Sequence, residues 1–342
     1  SEGRDEVEMK SGRVLRMLGA VAVRAVAGVL AGCTVGPFSF DLDSFMTPTS
    51  VSEAKSARRS ERSSSVSSGT TIEDGVLTVG LRVSNSTAPM CYTTSDGEYA
   101  GIDVDVAAAI ADQLGLDVKY VEVSGISSNL GSTCDIVMDV KSSEDSGCTV
   151  VGSYAETASA LFHRGTATTL SSSDLSGKSV ALQAGSVSER TLANTTLVLT
   201  ERSCTNLNEA FVSLEAGSVD FALCDAYAGA YLASAYKDIA LAGTLDTPTP
   251  AGIAVATDDT TLQTSIQTSL KSIQGNGVMD IIRSRWIGGV ADLSSASQIQ
   301  EITSSDQVLD TVASNGASTT GSSSSKTSTS DTTTGTTSST TN

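Results

Sequence analysis

From about residue 74 to residue 315 the chain repeats one pattern, a short apolar run followed by a longer amphipathic one, and this limits it to a small set of folds. GVLTVGLRV (75–83) reads as a strand, and DVDVAAAIADQLG (103–115) reads as a helix with Val106, Ile110 and Leu114 on one face and Gly115 as its stop. DVKYVEV (117–123), CDIVMDV (134–140), KSVALQ (178–183) and TLVLTE (196–201) read as further strands, with helices opening at SVSER and at NLNEAFVSLEAG. Strands alternating with helices imply an α/β fold with parallel pairing, in which ligands gather beyond the carboxyl ends of the strands. VDFALCDAYAGAYL (219–232) is the sharpest instance, because a buried strand runs into Asp225 and turns at once into a helix. A carboxylate there either caps the helix or holds a cation, since burying it unpaired is costly.

The flanks have a different character. KSGRVLRMLGAVAVRAVAGVLAGC carries Lys10, Arg13 and Arg16, then a mostly apolar run, then small residues before Cys33, the three-part pattern of an export signal. Arg24 interrupts the run, which is too short for a membrane span. Leu30-Ala31-Gly32-Cys33 matches a bacterial lipobox, so residues 1–32 read as a signal with an upstream extension and Cys33 as the lipidated residue. Residues 33–73 read as a disordered linker and residues 316–342 as a disordered Ser/Thr-rich tail, because neither stretch has enough apolar surface to offset the entropy of ordering it. The net charge of -18 argues against a nucleic-acid partner or an anionic membrane bound by broad electrostatics.

VLTVGLRVSNSTAPMCY, GEYAGIDVDVAAAIADQLGLDVKYVEV, DLSGKSVALQAGSVSE, NEAFVSLEAGSVDFALCDAYAGAYL and PAGIAVATDDTTLQTSIQTSLKSIQGNGVMDIIRSRWIG together resemble, in order, the blocks of the bacterial family 3 extracellular solute-binding proteins, the polar amino-acid receptors of ABC importers. The resemblance implies a two-lobe, periplasmic-binding-protein-like (type II) α/β fold. Lobe one would span residues 74–164 plus 249–315, lobe two residues 165–248, and the crossovers would fall near 160–162 and 253–255. It also implies hinge closure over one ligand, a small polar solute such as an amino acid, with Asp225 on the ammonium and Ser186, Val187 and Ser188 on the carboxylate. A plain capping box, Ser186 with Glu189, is the structural alternative for that last segment.

Two departures from the family stand out. Its carboxylate-binding Arg has no counterpart, since no Arg lies between Arg82 and Arg164; Lys141, with Ser142 beside it, is the nearby cation, a point charge and not a fork. Met90, with Tyr92 close by, stands where the family has an aromatic wall.

Five cysteines follow Cys33. Cys134 with Cys148 would close a loop of about 15 residues, worth roughly 3 kcal/mol on a chain-entropy model, and Cys204 with Cys224 is a second candidate pair that leaves Cys91 over. No metal site or cofactor is expected, and the lone His163 reads as structural or exposed. The expected protein is a monomeric, lipid-anchored receptor on the extracytoplasmic face of the bacterial membrane, delivering its solute to an ABC permease. The alternatives are a ligand sensor or an enzyme on the same scaffold, a dehydratase or transglycosylase, for which Glu122, Asp139, Glu144 and Glu156 are available acids.

Overall fold

The computed structural model describes residues 64–166, 170–290 and 292–302; Cys33, the expected signal and the Ser/Thr-rich tail lie outside them. The strands are β1 (Val76–Leu81), β2 (Tyr92–Thr93), β3 (Tyr99–Ala100), β4 (Asp117–Glu122), β5 (Ile136–Val140), β6 (Cys148–Thr157), β7 (Ser159–Arg164), β8 (Ser179–Gln183), β9 (Thr200–Cys204), β10 (Phe221–Asp225), β11 (Ile239–Thr244) and β12 (Thr249–Ala256). The helices are α1 (Ile102–Leu114), α2 (Ser172–Leu175), α3 (Val187–Ala193), α4 (Leu207–Glu215), α5 (Ala226–Ala233), α6 (Thr260–Gly275) and α7 (Val278–Ile287). Two five-stranded sheets result, ordered β4-β1-β5-β12-β6 in lobe one and β11-β7-β10-β8-β9 in lobe two.

Helix α1 shows why the sequence pattern is legible. Its buried face carries Ile102, Val106, Ala107, Ile110 and Leu114, and Gly115 ends it in the left-handed conformation at φ 71°. β1 pairs in parallel with β4 and β5 on either side, and its six-residue run is buried from Leu77 onward, as a strand covered on both faces requires. One buried apolar cluster runs from Leu77, Ile110 and Trp286 of lobe one to Phe162, Phe211 and Tyr227 of lobe two.

The chain leaves the first sheet at Ala158, earlier than the 164/165 boundary read from the sequence, so residues 160–162 lie inside the second sheet as part of β7. It returns through residues 245–248, and residues 253–255 lie inside β12. The two crossings are bonded to each other: Leu245 N donates to Ser159 O at 2.8 Å, and Ser159 N donates to Asp246 Oδ1 at 2.8 Å. Residues 298–300, read from the sequence as part of lobe one, bridge instead to Thr244 and Ser171 of lobe two.

Two other expectations change. Residues 64–73, read as disordered linker, fold onto lobe one: Ser65 N donates to Leu114 O at 3.0 Å, and Asp135 accepts from Ile72 N at 2.7 Å and Thr78 N at 2.6 Å. The strand expected at 196–201 forms at 200–204, because parallel pairing with β8 begins at Thr200; Val198 is 84 % exposed.

The five cysteines among the described residues are free thiols, so neither expected bridge is present. The sheet order supplies the reason. β8 lies between β9 and β10 and separates Cys204 from Cys224, and β12 lies between β5 and β6 and separates Cys134 from Cys148. Each pair is therefore about 10 Å apart across two strand spacings, beyond the reach of a disulfide.

Candidate functional site

Strand ends of both sheets meet between the lobes. From lobe one come Arg82, the residue after β1, and Asp139 and Lys141 around the end of β5. Lobe two supplies Asp225 at the end of β10, Asp246 in the return crossing and the Gly185–Ser188 turn after β8.

Asp225 realises the capping alternative directly. Its Oδ1 accepts from Tyr227 N and from Ala228 N, both at 3.0 Å, which fixes the side chain at the start of α5. Burial raises its pKa; the Ala228 and Tyr227 amides and the Lys141 charge oppose that, and the Asp246 charge adds to it. Lys141 also draws down Asp139 and Asp246, so three carboxylates from two lobes share the field of one amine. Asp139 is raised to about 6, first by burial, against Arg82, and further by Asp225 and Glu144.

Lobe one frames this group through long-range contacts. Arg82 donates to the Asp139 carbonyl and to Glu144, and its Nε is buried with no hydrogen-bond partner among the described residues. Tyr154 donates to Asp103 Oδ1 at 2.6 Å and accepts from Asp139 N at 2.8 Å, and this bond helps hold Asp139 at φ 58°, a conformation that favours glycine. Asp103 is only 2 % exposed, and burial lifts its pKa well above the carboxylate range, with the Asp139 charge adding to the shift. A cavity of about 10 Å³, the space of roughly one water, is lined by Arg82, Ser86, Asp103, Met138 and Asp139.

The remaining sequence-derived residues are placed as follows. Ser186 caps α3 by accepting from Glu189 N at 3.1 Å, while Glu189 accepts from Gly185 N at 2.5 Å. Ser188 is buried in the first turn and Val187 is 67 % exposed. Lys141 is half-buried, and its backbone N donates to Glu144 Oε2 at 3.2 Å; Ser142 is exposed in the same turn. Met90 belongs to the core, with its carbonyl so close to Gly101 that a Cβ there would meet it at 2.2 Å. Tyr92 packs edge-on against Trp286 at 6.1 Å, and Tyr231 of lobe two packs on the same ring at 6.1 Å. Tyr92 thus belongs to a seam between the lobes.

Three residues of the group, Arg82, Asp103 and Asp246, were not read as site residues from the sequence, and Asp139 was read only as an available acid. One signal was present for two of them, a charge at the carboxyl end of an apolar strand in Arg82 and Asp139; nothing local marks Asp103 or Asp246. Among the described residues no cluster of His, Cys, Asp or Glu is placed to hold a metal ion.

No curated protein matches this chain. Among solved structures it is similar to an ancestral cationic amino acid solute-binding protein, AncCDT-1, at 25% identity and a TM-score of 0.53, over 62% of this chain and 96% of that one. It is also similar in fold to a polar amino acid ABC uptake transporter substrate-binding protein from Streptococcus thermophilus, at 19% identity and a TM-score of 0.57, over 65% of this chain and 88% of that one. A third likeness is the L-cystine solute receptor of Neisseria gonorrhoeae in its unliganded open conformation, at 19% identity and a TM-score of 0.53, over 64% of this chain and 95% of that one. The two-sheet architecture is the type II periplasmic-binding-protein fold. The pattern of the bacterial extracellular solute-binding proteins, family 3, matches residues 77–289, more than half of the chain, and the protein belongs to that family.

Proposed function

We propose that this protein is the extracytoplasmic receptor of an amino-acid ABC importer, and that its ligand binds where the strand ends of the two lobes converge. The observation that carries the reading is Asp225, a half-buried carboxylate capping α5 at the end of β10, whose charge acts on Asp139 and feels Lys141 of the other lobe. A ligand ammonium on Asp225 offsets the cost of burying that charge. Lys141 and the first-turn amides of α3 at Val187 and Ser188 take the ligand carboxylate, with Arg82 held behind them by Glu144. Asp139, Asp225 and Asp246 outnumber Lys141, the one amine whose charge acts on all three, which favours a ligand that brings positive charge. The likeness to a cationic amino acid solute-binding protein supports the same direction.

A thermal-shift and calorimetric screen of the twenty amino acids and ornithine, with diamines as controls, tests this. A receptor is stabilised by its ligand through mass action, and arginine, lysine or ornithine should give the largest shift. Absence of a shift with every amino acid would remove the reading. Lipid anchoring at Cys33 and delivery to a membrane permease belong to the same proposal and rest on the lipobox and the family. Replacing Cys33 with Ser should release the protein from the membrane fraction of a bacterial host, and retention there would remove the anchor.

A further inference from the structure

The family pattern matches residues 77–289, and the described residues beyond it make contacts of their own. Helix α7 packs on lobe one, where Trp286 Nε1 donates to Asp105 Oδ2 of α1 at 2.7 Å. Beyond it the chain reaches lobe two. Ile299 N donates to Thr244 O at 2.9 Å, Ser172 N to Gln300 O at 3.1 Å, and Gln298 Nε2 to Leu245 O at 3.1 Å. Ile299, 3 % exposed, enters the lobe-two core with Leu161, Leu175 and Phe221. Gly243 gives the segment room, since a Cβ there would meet Ile299 Cγ1 at 2.6 Å.

A second set of contacts ties the same segment back to lobe one. Arg283 of α7 reaches Asp292 Oδ1 at 2.7 Å and donates to the Tyr227 hydroxyl at 3.2 Å. Tyr227, on α5 of lobe two and 1 % exposed, donates to Glu156 Oε2 at 2.6 Å at the end of β6 in lobe one. Arg283 lies 3.8 Å from that same carboxylate. One guanidinium thus joins both lobes and the segment. The segment borders a cavity of about 630 Å³, lined in part by Ala230, Leu241, Ile287, Val290 and Leu293.

We propose that residues 292–302 form a third tie between the lobes which, with the Arg283–Tyr227–Glu156 contact, restricts hinge opening and keeps the ligand-free protein close to its binding-competent geometry. Two crossover strands alone leave an interlobe hinge free to open, and apparent affinity falls in proportion to the fraction of molecules that are competent. The tie raises that fraction. Its effect on affinity rests on the receptor reading above; its effect on the lobes does not.

The test uses the full chain with spin labels introduced by non-cysteine chemistry at Lys119 of lobe one and Val198 of lobe two, both exposed. In one variant the tie is loosened by Gln298→Ala with Ile299→Ala. In a second, a protease site inserted between Gly288 and Gly289 is cut after folding, which keeps the result independent of any folding defect. Both should broaden and lengthen the ligand-free interlobe distance distribution and weaken amino-acid binding about tenfold. Unchanged distances in both would overturn the tie, and changed distances with unchanged affinity would overturn its role in binding. If no amino acid binds the parent protein, the receptor reading fails while the distances still decide the tie.

Discussion

The two sides of the cleft are built by opposite means. On the lobe-two side the helix caps are local: Asp225 bonds residues two and three positions on, and Ser186 bonds Glu189, while Asp246 is held from farther off by Ser159 N. The lobe-one side is built from distant segments, with Arg82 on Glu144 and Asp103 on Tyr154 separated by 62 and 51 positions. Lobe two therefore offers preformed helix starts that any α/β unit can supply, whereas lobe one offers a charge network that exists only once the sheet is assembled. Asp139 at its left-handed position and Arg82 after β1 both lie on the assembled side.

The sharpest way to break this contrast is at Asp225, where cap and ligand contact are separable. Asp225→Asn retains the capping geometry and removes the charge, and Asp225→Ala removes both. Amino-acid binding measured by calorimetry should fall at least about 100-fold in each, as when one partner of a buried charged contact is lost. Only the Ala variant should also lose about 1 kcal/mol in urea unfolding. Wild-type affinity in the Asn variant would remove the charge from recognition.

Arg82→Met probes the opposite side. It frees the Asp139 carbonyl and Glu144 together, and urea unfolding should show a loss of about 2 kcal/mol, the scale of hydrogen bonds to charged groups. A loss below that of the caps would mean that lobe one does not depend on its long-range network. Ser186→Ala is the local counterpart and should cost about 1 kcal/mol or less by the same measurement, because water can replace one exposed cap.

The smallest effect concerns pH. Asp139 titrates at about 6 in the folded chain, above the 3.8 of the unfolded one, so the folded state binds the extra proton between these values. Its contribution to stability is thus highest below about pH 4 and falls as pH rises through about 6. Melting temperature followed from pH 4 to 7 should decline less steeply in Asp139→Asn than in the parent. Parallel profiles would show that this carboxylate is not held in a desolvated site.

Local patterns were readable in advance. The period of α1, its Gly115 stop, the strand-to-helix turn at Asp225 and the Ser186 cap all depend on residues within a few positions of one another. Strand pairing explains the shifted strand: TLVLTE has the composition of a strand, but pairing with β8 at Thr200 decided where the ladder starts. Residues 64–73 looked like linker because Ser and Thr dominate there, yet Asp135, more than sixty positions away, holds Ile72.

What the sequence determined by itself was the alternating α/β order, the limits of α1 and the helix start at Asp225, because periodicity and capping act over one turn of chain. Only the tertiary structure decided which strands are neighbours. That choice placed β8 between Cys204 and Cys224 and β12 between Cys134 and Cys148, so the thiols remain free. It also brought Arg82, Asp103 and Asp139 into one group and carried residues 298–300 across to lobe two. Strand order is a property of the assembled sheet, set by which faces bury together, and no stretch of sequence a few residues long encodes it.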